Sequence, residues 1–294
     1  MLWLLVAVIE PLMHALANVF DNYFINNLFK KPGTLVFFSS LMNLVFLPLL
    51  FLFHLPTVPA WSEMPLLMLL GLISVAYVYP YYRALQSDDT SVVTSLFSIG
   101  SIFVPILSFF IIGEVLRVSQ YIGFLLIITA SSLLTLNLKT RVVSSKALFY
   151  MSIVSLILAV EAVTYKYVLT SIDWVTALTW STMFSFLFAM PLYFFNKENI
   201  HAKAPAFRKS LKLFALEELA TFVGVAAAVY ATALAPVTLV RGVASLQPVF
   251  VLGYAVLFSK AFPKAFKEKI DGESLKKKIL LFALIIIGSL LAFS

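Results

Sequence analysis

The chain has 294 residues, 62% of them hydrophobic and 12% charged, with a mean hydropathy of +1.00. That is more apolar side chain than a water-soluble core of this length buries, so lipid must be the solvent. The lack of cysteine excludes disulfides, Fe–S clusters and thiolate metal sites, and the net charge of +7 is spread over short loops between apolar runs, a pattern of membrane topology and not of nucleic-acid binding.

A hydrocarbon core of about 30 Å takes about 20 apolar residues per helix, and the strict alternation of a membrane barrel is missing. In chain order the continuous apolar runs fall at 2–24, 35–55, 66–82, 92–112 and 122–138, then at 148–169, 174–195, 213–234, 237–258 and 275–293. Breaks carry turn and charge signals: Lys31-Pro32-Gly33, Pro56 to Pro59, Ser87-Asp88-Asp89, and the charged stretches 196–212 and 260–278. The first run lacks a basic leader and a small-residue cleavage site, so it reads as a retained first helix. The predicted fold is an all-α integral membrane protein of ten transmembrane helices.

Residues 82–103 align with 229–250 at an offset of 147, pairing Ala84 with Ala231, Val93 with Val240, Ser98 with Ser245 and Phe103 with Phe250. The predicted division is 1–142 and 143–294, two repeats of five helices each. An odd number of spans makes the second copy enter the membrane from the opposite side, so the repeats are inverted, as in many secondary transporters. Of 21 Lys and Arg, 18 fall in loops after odd-numbered spans and only Arg117 in a loop after an even-numbered one. Basic loops stay cytoplasmic, which places both termini outside a cell membrane crossed many times.

The stretch Tyr82-Arg83-Ala84-Leu85-Gln86, running on through Thr90-Ser91 to Gly113-Glu114, resembles the third and fourth spans of the EamA family in the drug/metabolite transporter (DMT) superfamily. In the second half, Tyr230-Ala231, Pro236 and Ser245-Leu246-Gln247-Pro248-Val249-Phe250 resemble the same span pair. The resemblance implies a ten-helix transporter with a central cavity between the repeats, acting as a monomer or homodimer on a small-molecule solute. Ser101 stands where the family pattern has proline, and Ser259-Lys260 follows the ninth span where a second Gly-Glu would stand. The family pattern also implies cytoplasmic termini, against the charge distribution here.

An ionisable group in mid-membrane costs at least roughly 2.5 to 3.5 kcal/mol, so each is a candidate site residue. Glu10, His14, Asn18 and either Asp21 or Asn22 recur at helical spacing in the first span. Glu10 and His14, one turn apart, either relay a proton beside a cavity or hydrogen-bond neighbouring helices. Glu161, with Tyr165 one turn on and Lys166 beside it, either serves a cationic or zwitterionic solute or forms an ion pair with Lys166; the Lys166 stem can also snorkel to the surface. Glu10, His14 and Glu161 are the proton-coupling candidates.

Glu217 and Glu218 point about 100° apart on one helix, so only one is expected to face a cavity squarely. Arg241, with Gln247 deeper in the same span, calls for an anionic ligand or an acidic side chain. Among the aromatics, Tyr79 and Trp180 lie deep enough to line a cavity or cage a cation, whereas Trp174 reads as an interfacial belt residue. No phosphate-binding glycine loop, His-Glu-x-x-His zinc motif or cysteine nucleophile occurs, so neither catalysis nor a cofactor or metal is expected. The leading reading is a secondary transporter of a small polar or charged organic metabolite by alternating access, either proton-coupled or working by passive exchange. The rivals are a flippase for a lipid-linked sugar or isoprenoid phosphate, its headgroup held by Arg241 and Lys166, and a non-transporting scaffold or receptor.

Overall fold

Backbone donors and acceptors surrounded by lipid must pair within their own segment, and every described element is a helix. The computed structural model describes residues 2–29, 31–88, 93, 94, 96–135 and 144–258, together with Leu284, Ile287, Gly288 and Leu291. Helix α1 (Leu2–Tyr23) widens into a π-helical turn, Phe24–Phe29. Helix α2 (Pro32–Phe46) begins on a proline, whose missing N–H costs nothing there, and tightens at Pro48 into a 3₁₀ turn, Leu47–Leu52. Then come α3 (Met64–Ala76) and α4 (Val78–Leu85), joined at Tyr77, followed by α5 (Ser98–Ile112), α6 (Val118–Thr135) and α7 (Ser145–Val168).

The seventh and eighth predicted spans were expected to be separated by a charged loop at 196–212. Instead Trp174–Leu234 is helical throughout. A straight helix would hold Trp174 and Tyr230 about 84 Å apart at 1.5 Å per residue, yet their rings lie 5.1 Å from each other. The run therefore doubles back as two long helices, α8 (Trp174–His201) and α9 (Lys203–Leu234). Lys, Glu, Arg and Ala dominate the stretch between them, and these are strong helix formers, so both helices extend beyond the apolar spans before the chain reverses. Two short helices follow, α10 (Val237–Ala244) and α11 (Gln247–Phe258).

Six helical stretches among the described residues are long and apolar enough to cross a membrane: Leu2–Phe29, Pro32–Leu52, Met64–Leu85, Ser145–Val168, Trp174–His201 and Lys203–Leu234. Gly100–Ile112, Val118–Ala130 and Val237–Val251 are apolar but shorter. The tenth predicted span and the lysine-rich stretch 260–278 lie outside the described residues, apart from the four named; of these, Leu284 packs against Ala130 of α6.

Large apolar side chains cover the outside, among them Leu5 (69% exposed), Phe110 (78%) and Phe195 (85%). Water would penalise each of these by roughly 1.5–3 kcal/mol relative to burial, whereas lipid tails do not. Inside, α1 lies against α9, with Phe24 and Phe214 in edge contact at 5.1 Å. Helix α2 bridges α8 and α9 through Phe37 on Tyr193 (5.4 Å) and Phe38 stacked on Phe207 (4.3 Å). Phe29 joins Phe38 and Phe207, so aromatic rings plug the bundle at the end where α1 leaves it.

A candidate solute cavity walled by carboxyl groups

A cavity of about 220 Å³ lies inside the bundle, lined from α1, α2, α3, α4, α5 and α7 to α11. The polar stripe of α1 faces it: Glu10, His14, Asn18 and Asp21 all contribute to its wall. These positions fall within an arc of about 80° on a helix, and Glu10 and Asp21 stand roughly 16 Å apart along the axis. The cavity is thus a slot along α1, with distinct groups at its two ends.

At the first end Arg241 reaches across from α10 to Glu10, Nη2 to Oε1 at 2.9 Å, with the Glu10 side chain 4% exposed. Of the two partners expected for Arg241, the fold supplies an acidic side chain. Glu10 Oε2 and Arg241 Nε have no hydrogen-bond partner, leaving one acceptor and one donor beside the void. His14 also lines this end and is accommodated by Gly224 of α9, where a Cβ would stand 2.9 Å from His14 Nε2. Opposite, Glu161 Oε1 accepts a hydrogen bond from Ser74 Oγ (2.9 Å) and Tyr165 pairs with Ser181 (2.8 Å).

At the other end Asp21 accepts hydrogen bonds from the hydroxyls of Tyr81 (3.0 Å) and Tyr82 (3.1 Å), and Tyr81 also donates to Asn18 Oδ1 (2.8 Å). Glu217 and Glu218 are each 2% exposed, and both line the cavity, not one of them as the helical angle alone had suggested. The lining positions of α9 span an arc of about 140°, wide enough for both acids: Asn43 of α2 donates to Glu218 Oε2 (3.3 Å) and Thr221 donates to Glu217 Oε1 (3.3 Å). Glu217 Oε2 and Asn18 Nδ2 are buried without a partner.

Five carboxyl groups therefore wall the slot, and Arg241 is the one Lys or Arg among its lining residues. Since Arg241 is already paired with Glu10, the remaining four acids have only neutral donors.

Of the other sequence candidates, Gln247 lines the cavity, whereas Tyr79, Lys166 and Trp180 are not among its lining residues. Tyr79 is 50% exposed because it sits about 200° around α4 from both Tyr77 and Tyr81, which do face inward. Lys166 donates to the carbonyls of Thr232 and Ala235, each at 2.9 Å, neutralising the C-terminal end of α9 instead of pairing with Glu161. Trp180 Nε1 donates to the Thr57 carbonyl (2.9 Å) and pins the segment after α2. Of the four tyrosines of the third span, the sequence favours Tyr79, whereas Tyr77, Tyr81 and Tyr82 line the cavity; Asn43 and Ser74 are not among the sequence candidates. The spacing of Tyr77 and Tyr81, one turn apart, was a signal for the tyrosines; nothing local marks Asn43 or Ser74.

Two helices are interrupted at the cavity wall. In the first half Leu96 donates to Val93, Phe97 to Thr94 and Gly100 to Phe97; in the second, Ser245 donates to Gly242, Leu246 to Val243 and Val249 to Leu246. All six are tight i to i−3 backbone bonds, and each bond of the first set has its counterpart 149 residues later. Phe97, Gly100 and Ser101 from one break and Ala244, Ser245 and Gln247 from the other line the same slot.

The Gly113-Glu114 pair joins the halves at the surface. Gly113 ends α5 in the left-handed conformation, φ 67°, which glycine adopts without steric cost. The turn aims Glu114 at the start of α10, where its carboxylate accepts the N–H groups of Val237 (2.8 Å) and Thr238 (3.1 Å) and the Thr238 hydroxyl. An anion there satisfies orphan helix donors and complements the dipole.

Residues 1–136 match the model of the EamA-like transporter family. That family is part of the DMT superfamily. The chain is a multi-pass membrane protein whose described elements are all helices. Its whole fold is similar to that of a protein of known crystal structure, with a TM-score of 0.66 at 14% identity, over 97% of this chain and 98% of that one. No curated protein matches the sequence.

Proposed function

We propose that the chain is a secondary transporter that moves a small organic cation or zwitterion, with protons exchanged at the same carboxyl groups. The carrying observation is the excess of acid in the slot: Asp21, Glu161, Glu217 and Glu218 line it without a cationic partner. Buried carboxylates are stable only when paired or neutralised, so either protons or a positively charged solute must occupy them. Exchange of one for the other is the coupling. Tyr77 and Tyr81 add ring faces suited to an ammonium group.

Two inverted five-helix repeats, 1–142 and 143–294, give this site its alternating access. Supporting them are the helix breaks 149 residues apart, within two residues of the 147-residue sequence offset; interrupted helices in corresponding positions of two repeats characteristically flank the transported solute. On this reading the aromatic plug of Phe29, Phe38 and Phe207 is the gate at one end, and Glu114 bound to the start of α10 is the latch at the other. A flippase clamp on a phosphate headgroup finds less support, because Arg241 is held by Glu10 and Lys166 by backbone carbonyls. A purely structural scaffold leaves the polar void unexplained.

The test is a thermal-shift screen of purified protein with amines, amino acids, nucleosides and sugar phosphates, followed by uptake into vesicles under an imposed pH gradient. Amines or amino acids raise the melting temperature, and their uptake responds to a protonophore. Stabilisation by sugar phosphates alone refutes the cation reading, and uptake indifferent to pH removes the coupling.

The orientation is testable separately. The structure brings the ends of the odd-numbered spans together: Thr34 bonds Asn199 (3.0 Å), and the Ser144 N–H bonds Asp88 (2.9 Å). These contacts gather Lys31, Arg83, Lys146 and Lys197 at one face, which we assign to the cytoplasm. In intact cells a Ser62→Cys variant reacts with an impermeant thiol reagent and Ser145→Cys is protected; the reverse pattern inverts the assignment.

A further inference from the structure

Away from the central slot, a second pocket of about 400 Å³ opens on the basic face, between the end of α4 and the start of α7. Arg83 stands in the last turn of α4, and Lys146 in the first turn of α7. Both are exposed and both line the pocket, together with the hydroxyl-bearing Ser87, Ser145 and Tyr150; among the described residues no carboxylate lines it. The nearest acid in sequence, Asp88, has Oδ2 engaged by the Ser144 N–H at 2.9 Å, which fixes the two helix ends beside each other. The first turn of α7 adds the positive end of its dipole.

Such a site suits a phosphate diester or monoester, and its position decides the source. Phe149, also at the pocket, begins a stripe on α7 that continues through Ile153 and Leu156, exposed 63%, 37% and 48%. Positions i, i+4 and i+7 share one helix face, so an apolar track leads from the basic pocket into the membrane. A free phosphate has no use for that track; a phospholipid fills both parts at once. We infer that this pocket binds the headgroup of an anionic phospholipid of the cytoplasmic leaflet, Arg83 and Lys146 taking the phosphate and the α7 stripe the acyl chain. Basic pockets between helices on that side are favourable places for such headgroups. The choice of leaflet rests on the orientation proposed above; the inference is otherwise independent of the transported solute.

Native mass spectrometry of the full-length protein, titrated with dioleoyl phosphatidylglycerol or dioleoyl phosphatidylcholine, tests it. The wild type retains the anionic lipid in preference by roughly tenfold or more, as two cations near the headgroup imply, and the preference shrinks with added salt. It disappears in R83A/K146A and survives in R83K/K146R, with melting temperatures of both variants close to the wild type. Equal retention of the two lipids by the wild type, or an unchanged preference in R83A/K146A, overturns the site. Displacement of bound phosphatidylglycerol by an equal concentration of glycerol phosphate overturns the lipid assignment, since the soluble phosphate is then the occupant. The wild-type salt and lipid comparisons decide the matter even if R83A/K146A fails to fold.

Discussion

Replacing Arg241 with methionine lowers the stability of the folded protein by about 3–5 kcal/mol, the range for stripping one partner from a buried ion pair. The cause is what remains. Glu10 has a single charged partner, at 2.9 Å, with its second oxygen already unpartnered. Without the guanidinium it is an acid 3% exposed, with no donor in reach. A Glu10→Gln, Arg241→Met double variant removes the stranded charge and recovers most of the loss, so the double-mutant cycle gives a coupling well beyond the additivity of independent sites. Denaturant unfolding in detergent micelles, followed by circular dichroism, measures all four corners. If Arg241→Met alone costs no more than the double variant, Glu10 is not held by Arg241, and the first end of the slot has another architecture.

The same pair shows what one sequence can and cannot disclose. That Arg241 requires an anion was legible from its placement in an apolar run, because the penalty for a charge in lipid is local and large. Which anion satisfies it was not, because Glu10 lies 231 positions away and the contact depends on how α1 and α10 cross. The α1 stripe was legible for the same local reason: Glu10, His14, Asn18 and Asp21 repeat at helical spacing, and all four face the slot. Asn43 and Ser74 were invisible, since single small polar residues in a span bear no sign of the acids they meet.

At the level of the fold, apolar run length located six helices long enough to cross a membrane, and it erred where polarity and helicity diverge. Charged residues at 196–212 marked the end of the lipid-facing segment but not the end of the helix, because Lys, Glu and Arg leave lipid without leaving helical geometry. Helix interruptions posed the opposite difficulty. The turns at Leu96–Phe97 and Ser245–Leu246 interrupt continuous apolar runs, so hydropathy has no means to register them. The duplicated sequence was the one hint that something structural recurs there.

Glutamine at position 217 should weaken binding of an organic cation by at least about tenfold, equivalent to about 1.4 kcal/mol, while the ligand-free protein becomes no less stable. The two signs together discriminate a solute site from a packing contact. Glu217 is buried, its Oε2 has no partner, and Oε1 has only the Thr221 hydroxyl at 3.3 Å, so its charge contributes nothing to the resting fold that an amide would not. An acid retained in such a place carries a cost that only an occupant offsets, the usual trade between stability and function. Parallel isothermal titration and melting curves for Glu217→Gln, with Glu63→Gln as a control outside the slot, its carboxylate accepting the Ala60 N–H, separate the outcomes. Loss of stability comparable to the loss of binding makes Glu217 a packing residue. Unchanged binding removes it from the site and shifts the weight of the cation reading onto Glu161, whose hydrogen bond to Ser74 leaves it similarly short of positive charge.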